Sequence, residues 1–232
     1  MIMTNAKSPT QHTVVILVLD KSGSMKRDRD AVTSGFNEQV QTLKGHAADA
    51  GQMAVSLIAF SDPASIETVF AHRPASAAVE LTEATYQPTG STALFDAINE
   101  GIDLAQVHPN YPDETTAVLL LAFTDGRENA SAKVTGPNLK SRIQELESSG
   151  RWTITLLGPD GVQKTARDLA LRDDNVMAMQ MHTRVGKMEA FVSMSASTAS
   201  YMIKRGAGER GSGSFYGAEK QRREPPKTPP KA

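Results

Sequence analysis

The stretch Val14-Val-Ile-Leu-Val-Leu-Asp-Lys-Ser-Gly-Ser-Met25 decides the fold, because an uninterrupted apolar run passes directly into a polar loop. Six consecutive apolar residues, four of them β-branched, suit a strand that is covered on both faces, as in a parallel sheet. Residues 53–60, 117–123 and 153–157 form similar runs, residues 65–70 predict an edge strand, and residues 175–180 predict a short last strand.

Between these predicted strands, apolar residues recur at steps of three and four, which is typical of the core-facing side of a helix. The stripes are Val32-Phe36-Val40-Leu43, Leu94-Ile98-Ile102-Ala105, Leu139-Ile143-Leu146, Val162-Ala166-Leu169, and a last one of Met188, Phe191 or Val192, Ser195, Ala199 and Met202. Alternating strands and helices predict an α/β fold with a doubly wound, mostly parallel sheet, one antiparallel edge strand, and helices on both faces.

The composition predicts three segments: a short extension over 1–11, the α/β domain over 12–203, and a disordered basic tail over 204–232. The tail holds eight Lys and Arg against three Glu, and from Gly206 onward it has no Leu, Ile, Val or Met. Such a segment buries too little apolar area to offset the entropy of ordering. The acidic body is not expected to bind nucleic acid, whereas the basic tail offers that alternative.

The absence of cysteine excludes a disulfide scaffold, a thiolate zinc site, an iron–sulfur cluster and a cysteine nucleophile. The sequence has no run of 18 apolar residues, so no membrane partner is expected. The first 13 residues lack the apolar centre of a secretory signal. We therefore expect a cytoplasmic protein.

Oxygen-bearing side chains are concentrated in three loops of the predicted sheet. Asp20, Ser22 and Ser24 follow the first strand, Thr92 precedes a helix, and Asp125 follows the strand 117–123. Ligands bind at the carboxyl ends of strands in such sheets. Two neighbouring carboxylates repel unless a cation lies between them, and an all-oxygen set selects a hard ion. Mg²⁺ is the expected ion, with Mn²⁺ and Ca²⁺ as alternatives.

These three loops resemble the motifs of the von Willebrand factor A domain family. The first resembles the family's Asp-x-Ser-x-Ser motif, Gly90-Ser-Thr-Ala-Leu-Phe-Asp-Ala97 resembles the second motif, and Phe123-Thr-Asp-Gly126 resembles the third. The resemblance spans residues 12–203 and is closest to bacterial single-domain members. It implies a metal-ion-dependent adhesion site at Asp20, Ser22, Ser24, Thr92 and Asp125.

The resemblance also implies a function. In the family, the serines and, once a ligand is bound, the threonine contact the ion directly, while the aspartates act largely through water. Neutral ligands leave the ion strongly electrophilic, so that it attracts an Asp or Glu carboxylate from a partner protein. This is binding chemistry without a nucleophile or general base, and we expect an adaptor or assembly module rather than an enzyme.

Two alternatives remain open at the sequence level. The first loop also resembles that of haloacid dehalogenase phosphatases, in which an aspartate nucleophile is followed two residues later by an acidic residue. Ser22 occupies that second position here and is a poor proton donor near neutral pH, which argues against the phosphatase. The other alternative is a nucleic-acid-associated protein that binds through its tail. Asp96 and Glu128 are either neighbours of the ion or ordinary polar residues.

Overall fold

The computed structural model describes residues 11–223, and within them six strands form one sheet in the order β3-β2-β1-β4-β5-β6. All neighbouring strands run parallel except β2 and β3, which are antiparallel. The strands are β1 (His12–Asp20), β2 (Gln52–Phe60), β3 (Glu67–Pro74), β4 (Ala117–Phe123), β5 (Trp152–Pro159) and β6 (Val176–Met179). The predicted mostly parallel sheet with one antiparallel edge strand is confirmed.

Helices cover both faces of the sheet, as predicted. The α-helices in the described residues are α1 (Arg29–Gly45), α2 (Leu94–Gln106), α3 (Gly136–Ser148), α4 (Val162–Asp168), α5 (Arg184–Gly206) and α6 (Gly217–Arg223), with 3-10 helices at Gly23–Asp28, Ala75–Ala77 and Asp173–Asn175. Helices α1 and α5 bury their apolar sides in one core, whereas α2, α3 and α4 bury theirs in the core on the opposite face. The side chains of β1 alternate between these two cores, which is why an unbroken apolar run was required there.

Helices α1 and α5 are in close contact beside the carboxyl end of β4. A Cβ added at Gly35 of α1 would clash with the ring of Phe191 on α5. The Phe191 ring in turn stacks on Phe123, with ring centroids 4.2 Å apart. Phe123 is the last residue of β4, so α5 packs directly behind the loop that follows this strand.

The last predicted helical stripe is only partly correct. Phe191 and Met202 are buried, but Met188 and Val192 are 47 % and 57 % exposed, and Ser195 and Ala199 are half-buried. The buried side of α5 instead includes polar residues, among them Lys187, Ser193 and Thr198. Hydrophobicity alone therefore misassigned the orientation of this helix.

The prediction of a disordered tail from residue 204 is corrected for residues 204–223. Phe215 and Tyr216 are 5 % and 0 % exposed and belong to the same core as α1 and α5. Asn175 anchors this segment, because its side chain donates to the carbonyl of Ser212 and accepts the Phe215 N–H at 3.0 Å. Counting aliphatic residues missed two aromatic rings that supply the buried area. Residues 1–10 and 224–232, the rest of the predicted extension and tail, lie outside the described residues.

Basic residues of this C-terminal segment contact protein groups. Arg205 is 1 % exposed and donates to the backbone carbonyls of His12 and Glu209. Arg210 donates to the carbonyl of Glu114, and Arg223 donates to the Ser193 hydroxyl. These contacts occupy donors that a nucleic-acid arm would direct to phosphates.

We predict that Phe215→Ala destabilises the protein by about 3–5 kcal/mol, because it removes a buried ring. Gln221→Ala, at an exposed position of α6, is the matched control and should change the free energy of unfolding by less than ~0.5 kcal/mol. Urea denaturation of both variants measures the difference. Equal stabilities would mean that the segment does not dock in solution.

Candidate functional site

The loops that follow β1 and β4 lie side by side at the carboxyl edge of the sheet. The two strands are parallel neighbours with Leu19 in register with Phe123, so Asp20 and Thr124 leave the sheet together. Helix α1 then packs on one face of the sheet, while α3, which follows β4, packs on the other. A crevice between diverging connections of this kind is the usual ligand position in a doubly wound sheet.

The Asp20 carboxylate is completely buried and joins the two loops. One of its oxygens accepts the N–H of Ser22 at 2.6 Å, and the other accepts the hydroxyl of Thr124 at 2.6 Å. Its backbone carbonyl accepts the Tyr86 hydroxyl at 2.6 Å. Burial raises the pKa of Asp20 to about 6; the hydrogen bonds oppose this increase, and the nearby charge of Asp125 adds to it.

A chain of side-chain contacts links Ser22, Ser24 and Asp125. The hydroxyl oxygens of Ser22 and Ser24 are 3.1 Å apart, and the Ser24 hydroxyl donates to Oδ1 of Asp125. A hydroxyl has one proton, so Ser22 must be the donor to Ser24. Because Ser24 uses its proton on the carboxylate, it directs oxygen lone pairs, rather than a proton, toward any other ligand.

The Thr92 loop packs against the Asp125 loop from the other side. The Thr92 N–H donates to the side chain of Asn129, and the Asn129 N–H donates back to the Thr92 carbonyl, at 2.9 and 3.1 Å. A Cβ added at Gly126 would lie 3.0 Å from the Thr92 hydroxyl oxygen, so that hydroxyl sits against the residue after Asp125. The Gly23 N–H donates to Gly90 at 3.0 Å and ties this loop to the first. The structure therefore brings the three predicted loops together.

A buried lysine from α5 completes this region. Lys187 is 2 % exposed, and its Nζ lies 2.7 Å from Oδ2 of Asp125 and 3.2 Å from Oδ2 of Asp28. The Asp125 carboxylate therefore contacts Ser24 through one oxygen and Lys187 through the other. No local sequence pattern indicates this contact.

The donor set fits a hard divalent cation. Within residues 11–223, no three His, Cys, Asp or Glu side chains are grouped as metal ligands, so a cation here would depend on hydroxyl oxygens. Ser22, Ser24 and Thr92 supply hydroxyls beside two buried carboxylates, Asp20 and Asp125. Oxygen-only sets of this composition suit Mg²⁺, Mn²⁺ or Ca²⁺.

The two acidic residues of uncertain role are accounted for by backbone contacts. The Asp96 carboxylate accepts N–H groups from Ala132, Lys133 and Val134 and is 2 % exposed. Glu128 accepts the N–H groups of Phe95 and Ala130. Both carboxylates therefore hold the segment between β4 and α3.

Four residues that shape the site were absent from the predicted set: Tyr86, Thr124, Asn129 and Lys187. Thr124 and Asn129 lie in the same loop as Asp125, so a polar loop after a buried strand could have indicated them. Tyr86 and Lys187 lie on distant segments and carry no local motif. Only the packing of those segments against the loops identifies them.

Fold and site together define a doubly wound α/β domain with a cluster of hydroxyls and carboxylates where the connections diverge. A sequence comparison matches residues 15–190 to the von Willebrand factor type A domain, and the chain belongs to this family. No curated protein sequence matches the chain significantly.

Comparison with solved structures agrees with the fold. The PilB minor pilin from Streptococcus sanguinis superposes with a TM-score of 0.56 at 13% identity, covering 86% of this chain and 64% of the pilin chain. The pilus adhesin SpaC from Lactobacillus rhamnosus GG gives 0.62 at 13% identity, covering 85% and 31%. Proximal thread matrix protein 1 of the mussel byssus gives 0.52 at 15% identity, covering 84% and 48%. The chain therefore spans less than two thirds of each of these proteins.

Among the helices of residues 11–223, none combines the length and the hydropathy needed to cross a membrane. The cytoplasmic location remains a prediction.

We predict that Asp20 makes the ion-free protein less stable as pH rises. Its pKa is about 6 in the folded state against 3.8 for the free side chain, so the folded state binds more protons between these values. Stability is then lost as pH increases through this window, by roughly 2–3 kcal/mol. Asp20→Asn should remove this loss. Urea denaturation of both proteins in EDTA from pH 4 to 7 tests it, and a constant stability difference across that range would contradict it.

Proposed function

We propose that this protein is a Mg²⁺-dependent protein-binding module of the adaptor or assembly type. In this proposal Asp20, Ser22, Ser24, Thr92 and Asp125 hold the ion, which completes its coordination with an Asp or Glu carboxylate from a partner protein. The ion supplies an electrophilic centre that protein side chains alone do not provide. Mn²⁺ and Ca²⁺ remain alternative ions.

The strongest support is the contact chain Ser22–Ser24–Asp125. A carboxylate that accepts the Ser24 proton fixes that hydroxyl with a lone pair available to a cation. Membership of the von Willebrand factor type A family and the similarity to a pilin and a pilus adhesin also favour a protein-interaction role.

The contacts of Asp20 favour binding over catalysis. Both of its oxygens accept hydrogen bonds and the side chain has no exposure, so it is poorly placed to act as a nucleophile. Ser22 replaces the acidic residue that phosphatase chemistry would need. We therefore propose that the protein is not an enzyme; lack of Mg²⁺-dependent turnover of an aryl phosphate would agree.

We predict that Mg²⁺ raises the melting temperature, because an ion that binds only the folded state stabilises it by about 2.7 kcal/mol at 100 times its Kd. Ser24→Ala removes one proposed ligand at an exposed position and should abolish most of the shift. Ser141→Ala, on the exposed side of α3, is the matched control and should keep it. Identical wild-type melting curves in millimolar Mg²⁺ and in EDTA would refute ion binding.

We also predict that Thr92→Ala weakens the partner far more than it weakens Mg²⁺, because the family resemblance implies that the threonine contacts the ion directly only once a ligand is bound, whereas the serines contact it in both states. Thr92→Ser keeps the hydroxyl and should behave like wild type.

Partners are defined as proteins retained from native lysate with Mg²⁺ and lost with EDTA, and their affinity is then titrated at saturating Mg²⁺. Replacing the critical partner carboxylate by its amide should reproduce the loss. Equal partner affinity for Thr92→Ala and wild type would place the interface elsewhere.

A further inference from the structure

Lys187 is buried beside the proposed ion site but is not one of its five proposed ligands, so its role there is unassigned. It lies in the first turns of α5, more than sixty residues after Asp125, and its ammonium group is nearly inaccessible to solvent. Burying an ammonium group costs several kcal/mol unless carboxylates compensate it. Here two buried carboxylates do so, Asp125 at 2.7 Å and Asp28 at 3.2 Å.

The buried charges of this region do not cancel. Asp20, Asp28 and Asp125 carry three negative charges when ionised, and Lys187 carries one positive charge, which leaves two negative charges. Arg27 also approaches Asp28, at 3.7 Å, but its side chain is 74 % exposed and screened by solvent. A single divalent cation would therefore neutralise the buried set. Lys187 would repel that cation, because both positive charges would lie beside the same carboxylate, Asp125.

Lys187 also restricts what Asp125 can do. With Oδ2 held by the ammonium group and Oδ1 accepting the Ser24 hydroxyl, both oxygens of Asp125 are occupied. Each oxygen keeps a free lone pair, but the ammonium group neutralises the carboxylate and fixes its direction, which weakens direct binding of a cation. The protein would then neutralise less of the cation's charge, and the cation would attract an incoming carboxylate more strongly.

We propose that Lys187 is a positioning residue that lowers the affinity of the site for the divalent ion and raises the affinity of the bound ion for a partner carboxylate. This inference rests on the proposed function, since it assigns a role toward the same ion. It predicts that removing the lysine charge changes the two affinities in opposite directions. A lysine that serves only packing would lower both affinities or change neither.

The test uses the full chain, Mn²⁺ as the ion and acetate as the carboxylate probe. Lys187→Met removes the charge and keeps an unbranched side chain, and Lys187→Gln is the second variant in case Met does not fold. Lys204→Met is the matched control, an exposed lysine on the same helix. Electron paramagnetic resonance and water-proton relaxation report the Mn²⁺ affinity, the number of bound waters, and the water displaced by acetate.

We expect Lys187→Met to bind Mn²⁺ about tenfold more tightly, because a nearby positive charge has been removed. The bound Mn²⁺ should hold fewer waters, because Asp125 is free to replace one, and acetate should bind about tenfold more weakly. Lys204→Met should match wild type. If wild type binds Mn²⁺ and acetate and the Lys187 variants bind both equally well, only the role of Lys187 is refuted. If wild type binds neither, the proposed function is refuted and the inference with it.

Discussion

The buried carboxylate of Asp20 is the constraint on which the rest of this site depends. It ends the central strand of the sheet, where neither face is open to water, and it must find hydrogen-bond donors within the protein. The donors are the Ser22 N–H and the Thr124 hydroxyl, so the same carboxylate shapes its own loop and fastens it to the loop after β4. Even with both bonds, burial keeps its pKa near 6, which leaves an ionised Asp20 in need of further positive charge.

The positive charge that the structure does supply comes from α5, on the other side of the Asp125 loop. Lys187 neutralises part of the local charge and fixes the direction of Asp125. Phe191, one turn further on, packs behind the same loop through its stack on Phe123. The last long helix therefore supports the site with one charged and one aromatic contact.

Most of the fold could be predicted because it depends on local patterns. The unbroken apolar run of β1 indicated a strand buried on both faces, and the stripes of α1 to α4 marked their core-facing sides correctly. The same patterns failed for α5 and the C-terminal segment. Helix α5 buries Lys187 and Thr198 while Val192 stays exposed, and the segment after it is held by Phe215, Tyr216 and one asparagine. Such contacts depend on tertiary neighbours that periodicity does not encode.

The anchoring of α5 at both ends has a mechanical consequence. Lys187 fixes the start of the helix to the loop of Asp125. Arg205, eighteen residues later, binds the backbone of His12 at the amino end of β1, on the opposite side of the domain. At about 1.5 Å per residue the two anchors are roughly 27 Å apart. An axial sliding of the helix would break a buried ionic contact at one end and buried guanidinium bonds at the other. Helix α5 is therefore held at both ends of the domain. A pulling force applied to the chain after Gly206 would act on the Arg205 contacts before it reached the loops that contain Ser24 and Asp125.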